Sequence, residues 1–514
     1  MVTQPQIAIA VVLMYVVVLL GLGYRSYEET ERGNIEDYFL LGRKLTPIFG
    51  ILTIFATFQS GYFMFGNVGF FYQFGFPWVL GSLASSPLVV AFLWYFGSRF
   101  WVLSKKFGHI TIPRMFGHYY QSDTIRALLA LLTVIFLIPY IVVQLLAGGL
   151  ALEGITNGLV SFEMGAAFMT VVIIVYTVIG GFRAVTWTDS IQGVFFFLMA
   201  WILMVYFLID HGGVSAFFGD YVSQFSKGMS YTGLLGVDLI TLHVALFLAF
   251  VVGFIFQPEF YRRAIASKDL STLRTISIGA GAIVLLAYIP TMFLGFGIKM
   301  AMPGIENADS ALPVFLGEQY PYLGTVVIAA AIAAMMSTAD SLLCTISATV
   351  VDDFYRPYVN PDADGDSLER IGWAVIAVSM IVAFAVSLTE PGFIAEITAI
   401  AFTGFLVLFW LTIGMFYWDG ATAAGGIASL VAGLVTIFGV KYGGLGLPQL
   451  VSSFGFVIYT FIVTGVVFFA VSLVTTPLPK EHIAEYQSLF DRHLPGDADG
   501  REPNPAEVPA GMDD

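Results

Sequence analysis

Charge, cysteine and paired histidines are all scarce in this chain. Of its 514 residues 11% are Asp, Glu, Lys or Arg and 58% are hydrophobic, and the mean hydropathy is +0.85. Soluble domains carry about 25% charged residues, so a soluble globular fold is excluded. The single cysteine, Cys344, rules out an internal disulfide and a four-cysteine zinc site, and leaves a small packing residue. The six histidines form no HExxH or other close metal-ligand pair. There is no GxxxxGKS/T, hence no ATP-binding P-loop, and no nucleophile–base constellation stands out. An enzyme reading has little to rest on, and no cofactor is expected. The net charge of -14 argues against a nucleic-acid partner. Its acids lie mostly in loops and the tail, a pattern that also suits a host with high internal salt.

What remains is apolar sequence in runs of about 20 residues, the length of a membrane-spanning helix. The pattern predicts an all-α polytopic protein of about 13 spans. The first run leads into Tyr24-Arg-Ser-Tyr and not into a small-residue cleavage site, so it reads as a retained helix. Loops on one side hold Arg25, Arg43, Lys105, Lys106, Arg126, Arg183, Arg262, Arg263 and Arg370, among others. The other side holds only Lys227, Lys299 and Lys441. The positive-inside rule then places the N-terminus outside and the C-terminus in the cytoplasm, in a multi-pass cell-membrane protein. Residues 1–480 form the transmembrane domain. Its spans at 46–210 and 239–417 are an odd-numbered pair of sets that suits two inverted repeats, although no sequence identity between them is evident. Residues 302–321 are too polar to span and suit a short re-entrant or surface helix. Residues 481–514 are an acidic cytoplasmic tail. Ile483, Tyr486, Leu489, Phe490 and Leu494 stand at helical spacing, and the tail is partly disordered beyond Gly496.

The chemistry concentrates in residues 330–347. This apolar helix carries Ser337, Thr338, Ser341, Thr345 and Ser347 and one acid without a neighbouring base, Asp340. A carboxylate at membrane depth costs about 2.5–3.5 kcal/mol on insertion scales and so faces a cavity, a partner or an ion. Ala334, Ser337, Thr338 and Ser341 fall on one stripe, with Asp340 at its border. Oxygen donors in this arrangement suit a hard monovalent cation. The same small and hydroxyl residues also serve helix packing. In the span at 46–73, Gln59, Ser60, Gly61, Gly66, Asn67 and Gly69 interrupt the apolar run, which frees carbonyls or simply kinks the helix. Asp189 opens a later span, at the cytoplasmic interface, either as a cap or on an ion path. Pro258 kinks or ends the span at 239–257. Tyr62, Tyr140, Gln144, Phe250, Phe254 and Gln257 are candidate walls of a substrate cavity, with plain packing the alternative. No Lys or Arg is available at mid-membrane for a substrate carboxylate, so a helix N-terminus is left for that task.

Several motifs resemble those of the sodium/solute symporter family, over about residues 35 to 430. They are Asp37-Tyr-Phe-Leu-Leu-Gly-Arg, the GGF-AV-WTD-IQ pattern at 180–192, Gln257-Pro with Arg262-Arg263, Met336-Ser-Thr-Ala-Asp-Ser, Asp352-Asp-Phe-Tyr and Phe409-Trp. The resemblance implies a leucine-transporter-like fold of two inverted five-helix repeats. It also implies symport of Na+ with a small organic solute such as a monocarboxylate or an amino acid. A proton-coupled carrier and a transporter-like sensor are the rivals, the sensor disfavoured by the short tail. The implied sodium ligands are the carbonyls of Ala56, Gln59 and Ala334 and the hydroxyls of Ser337 and Thr338. A second ion, or a proton, would involve Asp340, Ser341 and Asp189 with Ser337. Phe58 and Phe254 depart from the polar or tyrosine residues of several relatives, which puts a proline or sugar substrate in doubt. The implied partners are Na+, the solute and the lipid bilayer, with no obligate protein partner.

Overall fold

The computed structural model describes residues 4–29, 34–230, 240–389, 392, 394–444 and 454–494. Helices account for its regular structure, and no strand occurs among the described residues beyond one bridge between Leu45 and Ser267. Eleven helices there are long and apolar enough to cross a membrane, and one bent pair makes a twelfth. The thirteenth expected span is Phe162–Val178, the first part of the Phe162–Asp210 helix. At about 1.5 Å per residue it falls short of a ~30 Å hydrocarbon core. Gly181 separates it from the next span with φ 55° and ψ -159°, a conformation closed to other residues, and a Cβ there would stand 2.6 Å from the Tyr38 ring.

The bent pair is Pro47–Phe58 and Tyr62–Phe74, which meet at 61°. Gln59 ends the first half with its backbone out of the helical region, and Gln144 Oε1 takes the Gly61 N–H at 2.7 Å. That bond satisfies one donor released by the break. A second break lies in the Leu242–Ala266 span. Gln257 is extended there (φ -66°, ψ 134°), and Pro258 starts the Pro258–Ala266 helix. Proline is at home at that position because its missing N–H has no helical partner to lose. The two breaks fall in corresponding helices of the two expected repeats, where transporters of this architecture hold ligands.

The second break moves two residues away from their expected place. Arg262 and Arg263 do not lie in a cytoplasmic loop; they belong to the Pro258–Ala266 helix and are buried. The span continues nine residues past Gln257 because the polar face of this short helix packs inward.

The polar 302–321 segment contains the short Ala311–Gln319 helix, and the C-terminal segment forms Lys480–His493. Ile483, Tyr486, Leu489, Phe490 and Leu494 are buried against the protein. His482 Nε2 meets the Tyr119 carbonyl at 2.8 Å, and the Tyr486 hydroxyl meets His118 Nδ1 at 2.5 Å. The tail beyond residue 494 lies outside the described residues.

Candidate functional site

The Pro321–Thr349 helix runs behind the first break with its hydroxyl stripe turned toward it. Ser337 Oγ lies 3.1 Å from the Ala56 carbonyl and 2.8 Å from that of Ala334. Thr338 Oγ1 lies 3.2 Å from the Thr57 carbonyl, 3.5 Å from that of Gln59 and 3.2 Å from that of Ala334. All five expected sodium ligands thus converge, and Thr57 joins them. Each hydroxyl has one hydrogen to give. Two hydrogens therefore face four carbonyls, and most of these short oxygen–oxygen approaches have no proton between them. The set carries no charge of its own, is buried, and offers only hard oxygens. It fits a small monovalent cation on donor chemistry.

One turn further along the same helix lies a second polar cluster. Asp340 is not isolated: the Tyr176 hydroxyl donates to its Oδ2 at 2.6 Å, while Oδ1 has no partner. Asp189 caps no helix. It is buried inside the Phe162–Asp210 helix, where its Oδ2 accepts from Thr53 Oγ1 at 2.6 Å and from Arg263 Nη2 at 3.1 Å. Arg263 also donates to Ser341 Oγ at 2.7 Å, to Thr53 Oγ1 at 3.1 Å, to the Glu259 carbonyl at 3.1 Å and to Thr57 Oγ1. Arg262 donates to the Ser341 carbonyl at 3.0 Å and stacks over Phe182 at 4.2 Å. Cys344, three residues beyond Ser341, is fully buried.

A small cavity lies beside both breaks. Ser60, Tyr62, Trp78, Tyr140, Phe250 and Phe254 line it, with Phe58, Tyr288 and Phe402. Tyr62 stacks on Phe250 at 4.4 Å between centroids, and Phe58 meets Phe254 edge-on at 4.9 Å. No carboxylate, lysine or arginine lines the cavity among the described residues. Four of the six expected wall residues are here. Gln144 is instead committed to Gly61. Gln257 is buried outside the lining with both amide atoms unpartnered, as are those of Gln59.

A family model for the sodium:solute symporter family matches residues 38–433. The chain belongs to this family. The sodium/pantothenate symporter of Haemophilus influenzae is 26% identical to this symporter over 462 residues, covering 88% of this chain and 94% of that one. The high-affinity proline transporter PutP of Bacillus subtilis is also 26% identical, covering 82% and 89%. A Na+-coupled sialic acid symporter, solved in a substrate-bound outward-open state, superposes with a TM-score of 0.76 at 18% identity, covering 92% of this chain and 99% of that one. At that identity the likeness concerns fold, and it matches the expected leucine-transporter-like architecture.

Sequence reasoning missed Thr53, Thr57, Tyr176 and above all Arg263. The available signal was the Ala264-Ile-Ala run after the two arginines, which prolongs the apolar span beyond them.

Proposed function

We propose that this chain is a Na+-coupled symporter that takes up a small organic solute, a monocarboxylate or an amino acid, by alternating access. One observation carries the reading: two hydroxyls face four carbonyls at a helix break, beside an aromatic cavity. Na+ bound there supplies the positive charge that the crowded oxygens lack. Ala56 and Gln59 belong to the broken helix and Ala334, Ser337 and Thr338 to the helix behind it, so the five ligands clamp two elements together. Tyr62 and Phe58 lie on the same broken helix and shape the cavity. A clamp that fixes the break also fixes those walls, so ion and solute raise each other's affinity reciprocally. Residues 1–480 act as one membrane domain, with repeats at 46–210 and 239–417. The N-terminus faces outside, and residues 481–514 face the cytoplasm.

Replacing Ser337 and Thr338 together by alanine is expected to raise the Na+ concentration for half-maximal uptake at least tenfold, a change of about 1.4 kcal/mol or more. Uptake of a panel of radiolabelled carboxylates and amino acids into vesicles, with Na+ or K+ outside at fixed pH, reads this. Undiminished uptake in K+ would favour a proton-coupled carrier, and an unchanged Na+ dependence in the double variant would remove these ligands.

A further inference from the structure

We propose that the Lys480–His493 helix is a proton-operated clasp, docked while the His118 imidazole is neutral and released as the cytoplasm turns acid, with uptake slowing on release. Release itself involves no solute; its effect on uptake, and the side on which protons act, rest on the symporter reading above. Three imidazoles gather beneath this helix. The His118 ring centroid stands 4.9 Å from that of His109, 6.4 Å from that of His482 and 4.6 Å from the Phe107 ring. The buried Tyr486 hydroxyl meets His118 Nδ1 at 2.5 Å and has no other hydrogen-bond partner among the described residues. Burial holds the phenol's proton in place, so the hydroxyl donates and Nδ1 accepts, which only an unprotonated nitrogen can do. Protonation of His118 puts a hydrogen on both partners. The hydroxyl must then turn its own toward the Phe107 and Tyr119 rings, and a buried hydrogen bond is lost.

The charged surroundings act in the same direction. Burial, then the neighbouring His482 and Arg114, push His118 down from its ordinary 6.5, and Glu485 opposes them. Arg126 and the exposed Asp123 also line this pocket, and Asp352 and Asp353 hold Arg114 and Arg126. Lys106 faces His493 at the far end of the helix. His109 is pushed down to about 3 by burial, with His118, Arg114, Arg126 and Arg43 adding to it, so it stays neutral throughout. An undocked His118 takes its proton near pH 6.5 and a docked one only below that. Docking is therefore complete above about pH 6.5 and weakens as pH falls, by up to about tenfold per unit for one proton. The Ile112–Tyr119 helix passes the effect on. Its Arg114 meets Asp352 at 3.1 Å, just past the helix that carries Ser337 and Thr338, so release takes a brace from the inner end of that element.

The test follows the helix directly. Cysteines at the exposed Ala484 and Thr124 carry spin labels in the full-length chain in lipid nanodiscs. One short distance is expected at about pH 7.5, with a longer, broader population growing below about pH 6.5. His118→Asn offers Tyr486 an amide near the place of Nδ1 but takes no proton, and is expected to keep the short distance throughout. Na+-driven uptake into right-side-out vesicles with an interior near pH 5.5 is expected to fall at least about twofold in the wild type and not in this variant. An unchanged distance in the wild type overturns the clasp. So does a docked His118→Asn that is released by acid as the wild type is, and so does release without slower uptake. If His118→Asn is undocked at every pH, the wild-type curve decides alone, and its midpoint must lie below about pH 6.5. No Na+-dependent uptake at a neutral interior would count against the symporter reading and leave the distance measurement standing.

Discussion

At the scale of single residues, the deciding quantity is the number of hydrogens available to neighbouring oxygens. Ser337 and Thr338 are short of them, whereas Arg263 brings five N–H donors to five acceptors, and that contrast separates the two clusters although they lie one turn apart. The close approach of helices around them is set by residues with no side chain. A Cβ on Gly253 would stand 2.3 Å from the Phe402 carbonyl oxygen, a backbone atom that no rotamer change can move aside. Gly253→Ala is therefore expected to separate the Leu242–Ala266 span from the Ile394–Leu406 helix, at a cost of about 1–3 kcal/mol as for overpacked cores. A lowered melting temperature in detergent, together with weakened solute uptake, checks this; an unshifted melting curve would refute it. The hydroxyl stripe and Asp340 were legible in the sequence because polar atoms stand out in an apolar helix. Arg263 was not, because a basic pair after a proline has the same composition whether it ends a span or is buried beneath one. Only the positions of Asp189 and Ser341, 74 and 78 residues away, distinguish the two cases.

At the scale of elements, the two helix breaks were visible as Gln-Ser-Gly and Gln-Pro, and the structure adds what holds them open. Gln144 takes the amide freed by the first. The segment before the Ala311–Gln319 helix has a contact of its own. Asp309, just before the Ala311–Gln319 helix, accepts the Ile394 N–H through Oδ2 at 2.8 Å and so ties that segment to the start of the Ile394–Leu406 helix. Burial pushes the Asp309 carboxyl up to about 7, and the bond from Ile394 offsets this only in part. An ordinary aspartate titrates near 4, so the folded chain holds this proton where the unfolded chain has lost it. The resulting stability is complete below about pH 4 and is lost as pH rises through 7. Asp309→Asn keeps an acceptor for Ile394 but cannot ionise. Between pH 6 and pH 8 the wild-type melting temperature is expected to fall relative to that of the variant. Parallel curves across this range would show that Asp309 does not titrate there.

At the scale of the whole molecule, composition alone announced a membrane protein, and the helix count followed within one or two spans. The remaining discrepancy lies where length is marginal, at Phe162–Val178. Orientation rests on the asymmetry of Lys and Arg, which survives the burial of Arg262 and Arg263 because many other cations lie on the same side. Lys106, Glu481 and Glu306 are exposed and suit a labelling test. Cysteines at Lys106 and Glu481 are expected to resist an impermeant maleimide in right-side-out vesicles, and one at Glu306 to react. Reaction at either of the first two without permeabilisation would invert the arrangement. These experiments are simplified by Cys344, which no solvent reaches. The native chain is in effect a blank slide for spectroscopy. Any thiol placed on its surface is the sole address for a dye or spin label, so distances across the working transporter can be followed without first rebuilding its interior.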